Sequence, residues 1–392
     1  MKVLIYTHEF PPFLGGLAKT SFKLASGFSE GGLEVTVLAP RYSDMDNEVD
    51  IECKFQIKRM TGLSRNHGIP SPLPEAAGIY SLYTAMRKYR PDALLVITRE
   101  GQTSGGLLRD YPLKVIVRVA GYEAYRYLLG KKFYNRLLGK PIKRLYMKAS
   151  TIVSPSQSTR ELLELAGIPR DKIEVIYNGV SDDMLSHKPD TDALKKLRAK
   201  FNLKNEDKLI LTVSRLVPSK GHKEVIRILP RLLKEFENLK YLIVGEGGYE
   251  TELRNLASEE GVISSVIFAG PVTYNDVKDY LDLCYLFAMP NTSNEEKESI
   301  EGLPNVIFEA MARGRPVITG TEGGAKEIVE HGVNGFVEDG NNIDAIYEHI
   351  LDLLKNEKKA KDFGENSRRK IAEGYTEAKM IQNYLKIIYD QR

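Results

Sequence analysis

The sequence predicts an α/β protein of two doubly wound, Rossmann-like parallel-sheet domains facing each other across an interdomain cleft. Three observations lead there. At 392 residues the chain exceeds what one hydrophobic core usually serves. Short apolar runs alternate with helical segments, the pattern of parallel sheets covered on both faces. The same alternation restarts after residue 205, so each half carries its own sheet.

The elements follow in order. "KVLIYTH" is a buried strand, the Gly- and Pro-rich turn "EFPPFLGG" follows, and "LAKTSFKLASGFSEGG" has helical spacing. "LEVTVLAP", "ALLVIT", "KVIVRVA" and "ASTIVSPS" continue the first sheet. "KLILTVSR", "KYLIVGE", "VIFAG", "YLFAMP" and "PVITG" form the second. The boundary is placed in "VIYNGVSDDM", where Asn178-Gly179 breaks an apolar run. Domains 1–177 and 178–374 result, and the last helix, 375–392, is expected to pack back on the first. Ligands of such sheets bind outside the carboxyl ends of the strands.

Composition narrows the function. No apolar run is long enough to span a membrane, and the start reads as a first strand rather than a signal peptide. Cys53 and Cys284 lie far apart without metal-ligand spacing, as reduced cytoplasmic thiols do. The net charge of +3 is uneven: residues 1–180 carry 26 Lys and Arg against 17 Asp and Glu, the remainder 30 against 36. Such a split suits a first half that meets an anionic surface or acceptor.

The chemistry-bearing motifs sit after strands. Gly15-Gly16 precedes a helix and lets an anion approach the backbone. Arg215 and Lys220 in "SRLVPSKG" can clamp a diphosphate, one by its fork and the other as a point charge. In "EGLPNVIFEAMARG" two carboxylates, Glu301 and Glu309, bracket a Gly-Leu-Pro turn where a helix begins. Helix N–H groups suit phosphate and ionised carboxylates suit sugar hydroxyls, so the pair points to a nucleotide sugar. "VGEGG" is no dinucleotide fingerprint, because the third glycine position holds Glu250. Asp44-Met45-Asp46 and Asp190-Thr191-Asp192 spell acid pairs but lie in charged loops and read as acid-rich turns. No zinc spacing, Walker loop or nucleophile elbow occurs.

Taken in this order, "FLGG", "SRLVPSKG", "VGEGG", "EGLPNVIFEAMARGRPVI" and "TEGGAKEIV" resemble the retaining glycosyltransferases of family 4, with the GT-B fold. The resemblance covers nearly the whole chain. It implies an acceptor-side first domain and a nucleotide-sugar donor domain second. Arg215 and Lys220 would hold the donor diphosphate and stabilise the leaving group. Glu309 would bind ribose hydroxyls and Glu301 would stand beside the donor sugar. The backbone of Gly302, Leu303, Pro304, Asn305 and Val306 would surround sugar and phosphate. Gly16 would approach the phosphate from the first domain, and Val272 would meet the base. Neither metal nor cofactor is implied. Many members carry a histidine where this chain reads "VRVAGYEAY", with Ala120 before Gly121. Arg118, Glu123 or another group then takes that role, or it is dispensable.

The leading reading is a retaining sugar transferase acting on a lipid-linked or envelope glycan, with no nucleic-acid partner. An epimerase and a non-catalytic nucleotide-sugar-binding protein stand beside it. Residues 125–150, "YRYLLGKKFYNRLLGKPIKRLYMKAS", hold eight Lys and Arg and no acid. Interleaved apolar residues suggest peripheral contact with an anionic, cytoplasmic membrane face; a surface helix with its apolar side in the core is the alternative.

Overall fold

A computed structural model describes residues 1–13, 15–43, 45–60, 73–108, 113–121, 123–292 and 302–390. The chain divides into two compact units. The first holds residues up to Asn178, the turn residues Gly302 and Leu303, and the segment from Glu377. The second runs from Gly179, skips that turn and ends at Thr376.

The first unit is a seven-stranded sheet. Its strands are β1 (Lys2–Tyr6), β2 (Glu34–Pro40), β3 (Gln56–Met60), β4 (Ala93–Val96), β5 (Lys114–Arg118), β6 (Thr151–Ser154) and β7 (Ile173–Val175). The order is β3-β2-β1-β4-β5-β6-β7, and every neighbouring pair is parallel. Alternate residues serve opposite faces, as the strand period requires. Leu4, Tyr6, Leu94 and Val96 join Ile142, Leu145 and Tyr146 on one side. Val3, Ile5, Val35 and Val37 join Leu24, Phe28, Met380 and Tyr384 on the other. Each fully buried Leu or Ile contributes about 1.5–3 kcal/mol.

The terminal helix, Glu377–Tyr389, belongs to that second layer and crosses the Gly16–Glu30 helix. Gly27 is the crossing point, since a Cβ there would stand 2.2 Å from Ile381 Cδ1. Lys23 Nζ meets Glu377 at 2.7 Å beside it.

The second unit is a six-stranded parallel sheet of β8 (Lys208–Val213), β9 (Leu239–Val244), β10 (Val266–Gly270), β11 (Leu286–Met289), β12 (Val317–Gly320) and β13 (Gly335–Glu338). Its order is β10-β9-β8-β11-β12-β13. Ile210, Tyr241 and Ile243 pack under the His222–Leu233 and Ile343–Lys355 helices. Leu209, Leu211, Phe287 and Met289 are buried on the opposite face. In both sheets the order reverses beside the first strand, between β1 and β4 and between β8 and β11. These are the topological switch points, where the loops part and leave a crevice.

Substitution at Gly27 tests the helix crossing. Gly27→Val is expected to destabilise the protein by about 1–3 kcal/mol or more through overpacking. Gly374→Ala, where nothing lies within 4 Å, is expected to be neutral or to stabilise by up to about 1 kcal/mol. Urea unfolding of both variants checks this.

Candidate functional site

In the second unit the loops after β8 and β11 flank the switch point. The loop after β8 carries Arg215, which is exposed, and Lys220, which retains only 5% exposure. Gly221 follows with φ +79°, and a Cβ on it would stand 2.3 Å from the carbonyl oxygen of Pro290. Only glycine fits that backbone conformation and that approach. Thr292 N–H donates to Ser219 O at 3.2 Å, so the two loops are joined main chain to main chain.

Two helices begin beside these loops, His222–Leu233 and Asn305–Ala312, and neither has a side-chain cap. Their first N–H groups favour an anion. Glu309 lies inside the second helix with 7% exposure. Asn305 and Val306 open that helix, after Leu303 and its N-cap Pro304. Gly302 is buried, and Glu301 lies outside the described residues together with 293–300 before it. Val272 is half-buried in the loop after β10, two residues past Gly270 at φ +73°. Gly323 and Gly324 precede the short helix Ala325–Ile328 after β12.

In the first unit Gly16 is exposed at the start of its helix, behind the extended N-cap Gly15. His8 is buried, its Nε2 2.9 Å from Tyr6 Oη. Its backbone N–H donates to Thr98 Oγ1 at 2.8 Å and so ties the loops after β1 and β4. Arg118 is also buried and donates to Asn178 Oδ1.

Two buried features of the second unit have no local signal in the sequence. His222 sits one residue past Gly221, Nε2 3.0 Å from Ser214 Oγ and Nδ1 3.1 Å from Tyr241 Oη. Ser214 Oγ donates in turn to Arg215 O at 3.1 Å, so the imidazole steadies the turn that presents Arg215. Burial, with Lys220 nearby, pulls the imidazole down to about 4, which keeps it neutral. The second is Arg313, at the end of the Asn305–Ala312 helix. It donates to both oxygens of Asp282, at 2.8 and 2.6 Å, and to the carbonyls of Met184 and His187. Only the recurrence of Arg after an apolar helix could have hinted at it.

Asp282, Asp279 and His187 form the one cluster among the described residues with metal-ligand proximity. Arg313 takes both oxygens of Asp282, and Arg315 stands 3.7 Å away. That donor set is matched to guanidinium, and the cluster anchors the helix. The acid pairs also have structural uses. Asp190 Oδ1 caps the Thr191–Lys200 helix by accepting from Asp192 and Ala193 N–H, which holds its carboxyl below the ordinary value. Asp46 is buried and accepts from Tyr42 N–H at 2.7 Å; Asp44 lies outside the described residues.

Two measurements follow. Arg313→Ala leaves the buried Asp282 with only the more distant Arg315 at 3.7 Å, with an expected loss of about 3 kcal/mol in unfolding free energy. The depressed His222 value works in the acid direction: between the ordinary 6.5 and about 4 the unfolded chain binds a proton that the fold refuses. Stability present above 6.5 is therefore lost as pH falls through that window, by roughly 2–4 kcal/mol. His222→Gln is expected to flatten this part of the pH–stability curve in urea titrations.

Comparison with known proteins gives the family and the fold. Residues 194–370 match the family described as Glycosyl transferases group 1, and residues 14–184 match Glycosyltransferase Family 4. The chain is 33% identical over 368 residues to the GDP-mannose-dependent alpha-(1-6)-phosphatidylinositol monomannoside mannosyltransferase of Mycolicibacterium smegmatis, covering 92% of this chain and 91% of that protein. It is 28% identical to an uncharacterised glycosyltransferase of Methanocaldococcus jannaschii, over 88% and 87% of the two. Its fold matches that of Anabaena HepE, solved with UDP-glucose, with a TM-score of 0.80, 20% identity and 99% coverage of both chains. The chain belongs to the group 1, family 4 glycosyltransferases and has the GT-B fold.

Proposed function

We propose that the protein moves a hexose, with retention of anomeric configuration and without a metal, from a nucleotide-diphosphate sugar to a hydroxyl of a lipid-linked or envelope glycan. The observation that carries this is the burial of a cation and a carboxylate, Lys220 and Glu309, on elements that follow the two switch-point strands. Charges held that far from water have a use beyond solubility. Arg215 and Lys220 meet the diphosphate, whose charge grows as the glycosidic bond breaks. Glu309 accepts from ribose hydroxyls, Glu301 stands beside the sugar, and the Gly302–Val306 backbone lines sugar and phosphate. Gly16 and Val272 complete the donor contacts. The mannosyltransferase relative makes GDP-mannose the first donor to try, and its phosphatidylinositol mannoside acceptor supports a glycolipid.

Support for an acceptor at the membrane comes from the helix Phe133–Lys148. Ile142, Leu145 and Tyr146 face the core. Arg136, Lys140 and Arg144 are exposed, together with Phe133 at 83% and Leu137 at 52%. Cations around exposed apolar side chains suit an anionic lipid interface. No helix among the described residues is long and apolar enough to cross a membrane, so contact through this face would be peripheral.

A panel of nucleotide sugars scored for transfer and free nucleotide tests the reading. Lys220→Ala and Arg215→Ala are expected to lower turnover by about 10²–10³-fold, and Glu309→Ala to weaken donor binding by roughly 1.5–3 kcal/mol. EDTA should leave activity unchanged, and NMR of the product should show the donor's anomeric configuration. Binding without turnover would favour a non-catalytic protein, and a free epimerised sugar nucleotide an epimerase. Low-salt co-sedimentation with anionic vesicles should be lost in Phe133→Ser/Leu137→Ser; equal pelleting with neutral vesicles removes the membrane reading.

A further inference from the structure

Glu123 is a buried titratable group that the proposed chemistry leaves unused. It lies just past β5, with no exposed surface. One carboxylate oxygen, Oε2, accepts from the Ala120 N–H at 3.0 Å, while Oε1 is buried without a hydrogen-bond partner. The side chain thus folds back beneath the Ala120–Gly121 turn. That turn is pressed against Gly302. A Cβ on Gly121, whose φ is +110°, would stand 2.7 Å from Gly302 Cα. A Cβ on Gly302 would stand 2.1 Å from Ala120 O. Ser156 Oγ reaches Gly302 O at 3.4 Å from the same side. Main chain lies on main chain here, so a displacement of the turn must displace Gly302.

We infer that Glu123 is a positioning residue: through the Ala120–Gly121 turn it seats Gly302, the first described residue of the donor segment, and its proton makes that seat sensitive to pH. The inference rests on the reading of Gly302–Val306 as the donor's seat. A neutral carboxyl accepts from Ala120 and brings no charge beside an anionic ligand. The ionised form places a desolvated negative charge under the same turn, where it opposes a diphosphate. Burial is the main force on the proton and lifts the carboxyl to about 7. Two backbone N–H groups, its own and that of Ala120, pull the other way. The charged groups acting on it are Glu100, which raises it and is paired with Arg99 at 2.8 Å, and Arg118, which lowers it. The change therefore falls within the working range of pH.

The test compares wild type, Glu123→Gln and Glu123→Ala for donor KM and kcat between about pH 6 and 8, with GDP-mannose and UDP-glucose as donors. The wild-type donor KM is expected to rise about tenfold across that range while kcat moves less. Glu123→Gln keeps the hydrogen bond without the proton; its KM should stay flat and within about twofold of the low-pH wild-type value. Glu123→Ala should raise KM about tenfold at every pH. Unfolding gives a second readout. From the ordinary 4.5 up to about 7 the fold keeps a proton that the unfolded chain has lost, so wild-type stability should fall with rising pH relative to Glu123→Gln. Turnover by wild type with an identical pH profile in Glu123→Gln overturns the inference. Absence of donor binding by wild type overturns the donor reading instead, so the two failures are told apart.

Discussion

The contact between Gly221 and the Pro290 carbonyl governs the second unit. It joins the loop after β8 to the end of β11, the two strands that flank the switch point. Lys220 precedes that glycine and His222 follows it, so one left-handed residue at φ +79° sets where both side chains go. A Cβ at that place would force the loops apart, and the buried ammonium would lose its position with them. The site is thus built first from main chain, and its charged side chains are hung on that frame.

The first unit solves the same problem with different residues. There the loops after β1 and β4 are tied by His8 N–H donating to Thr98 Oγ1, where the second unit uses Thr292 N–H and Ser219 O. Parallel sheets make this tie necessary. The connections that follow the two switch-point strands run to opposite sides of the sheet and carry their loops away from each other, and the crevice between them stays defined only if something holds its rims.

Much of this was legible in the sequence because its signals are local. Apolar runs such as "KVLIYTH" and "KLILTVSR" specify buried parallel strands by composition alone, and β1 and β8 lie within them. Gly, Arg and Lys in a strand-to-helix turn are equally visible, since phosphate chemistry and backbone clearance ask for those residue types. β3 was missed because Gln56–Met60 is partly exposed and alternates with Lys and Arg. β13 was missed because Gly335–Glu338 is only four residues long. Other features depend on distant partners. Arg313 and Asp282 are 31 residues apart, and His222 needs Tyr241 and Ser214 before it means anything. For Glu123, the sequence could name a candidate stand-in for a family histidine, but it could not show that the carboxyl is buried beneath its own turn.

Two buried titratable groups, His222 and Glu123, are held neutral by the same force. Burial holds His222 low, at about 4, and Glu123 high, at about 7, so each prefers its neutral form, one in each unit. A charged imidazole beside Lys220 would repel the ammonium it helps to place. A charged carboxylate under Gly121 would oppose any anion near Gly302. With both neutral, neither group adds its own charge to the field around Lys220 in one unit or around the Ala120–Gly121 turn in the other. Such a field is worth most where water is excluded, because there nothing but the protein screens it. The neutral form of His222 is thus lost on the acid side, and that of Glu123 on the alkaline side.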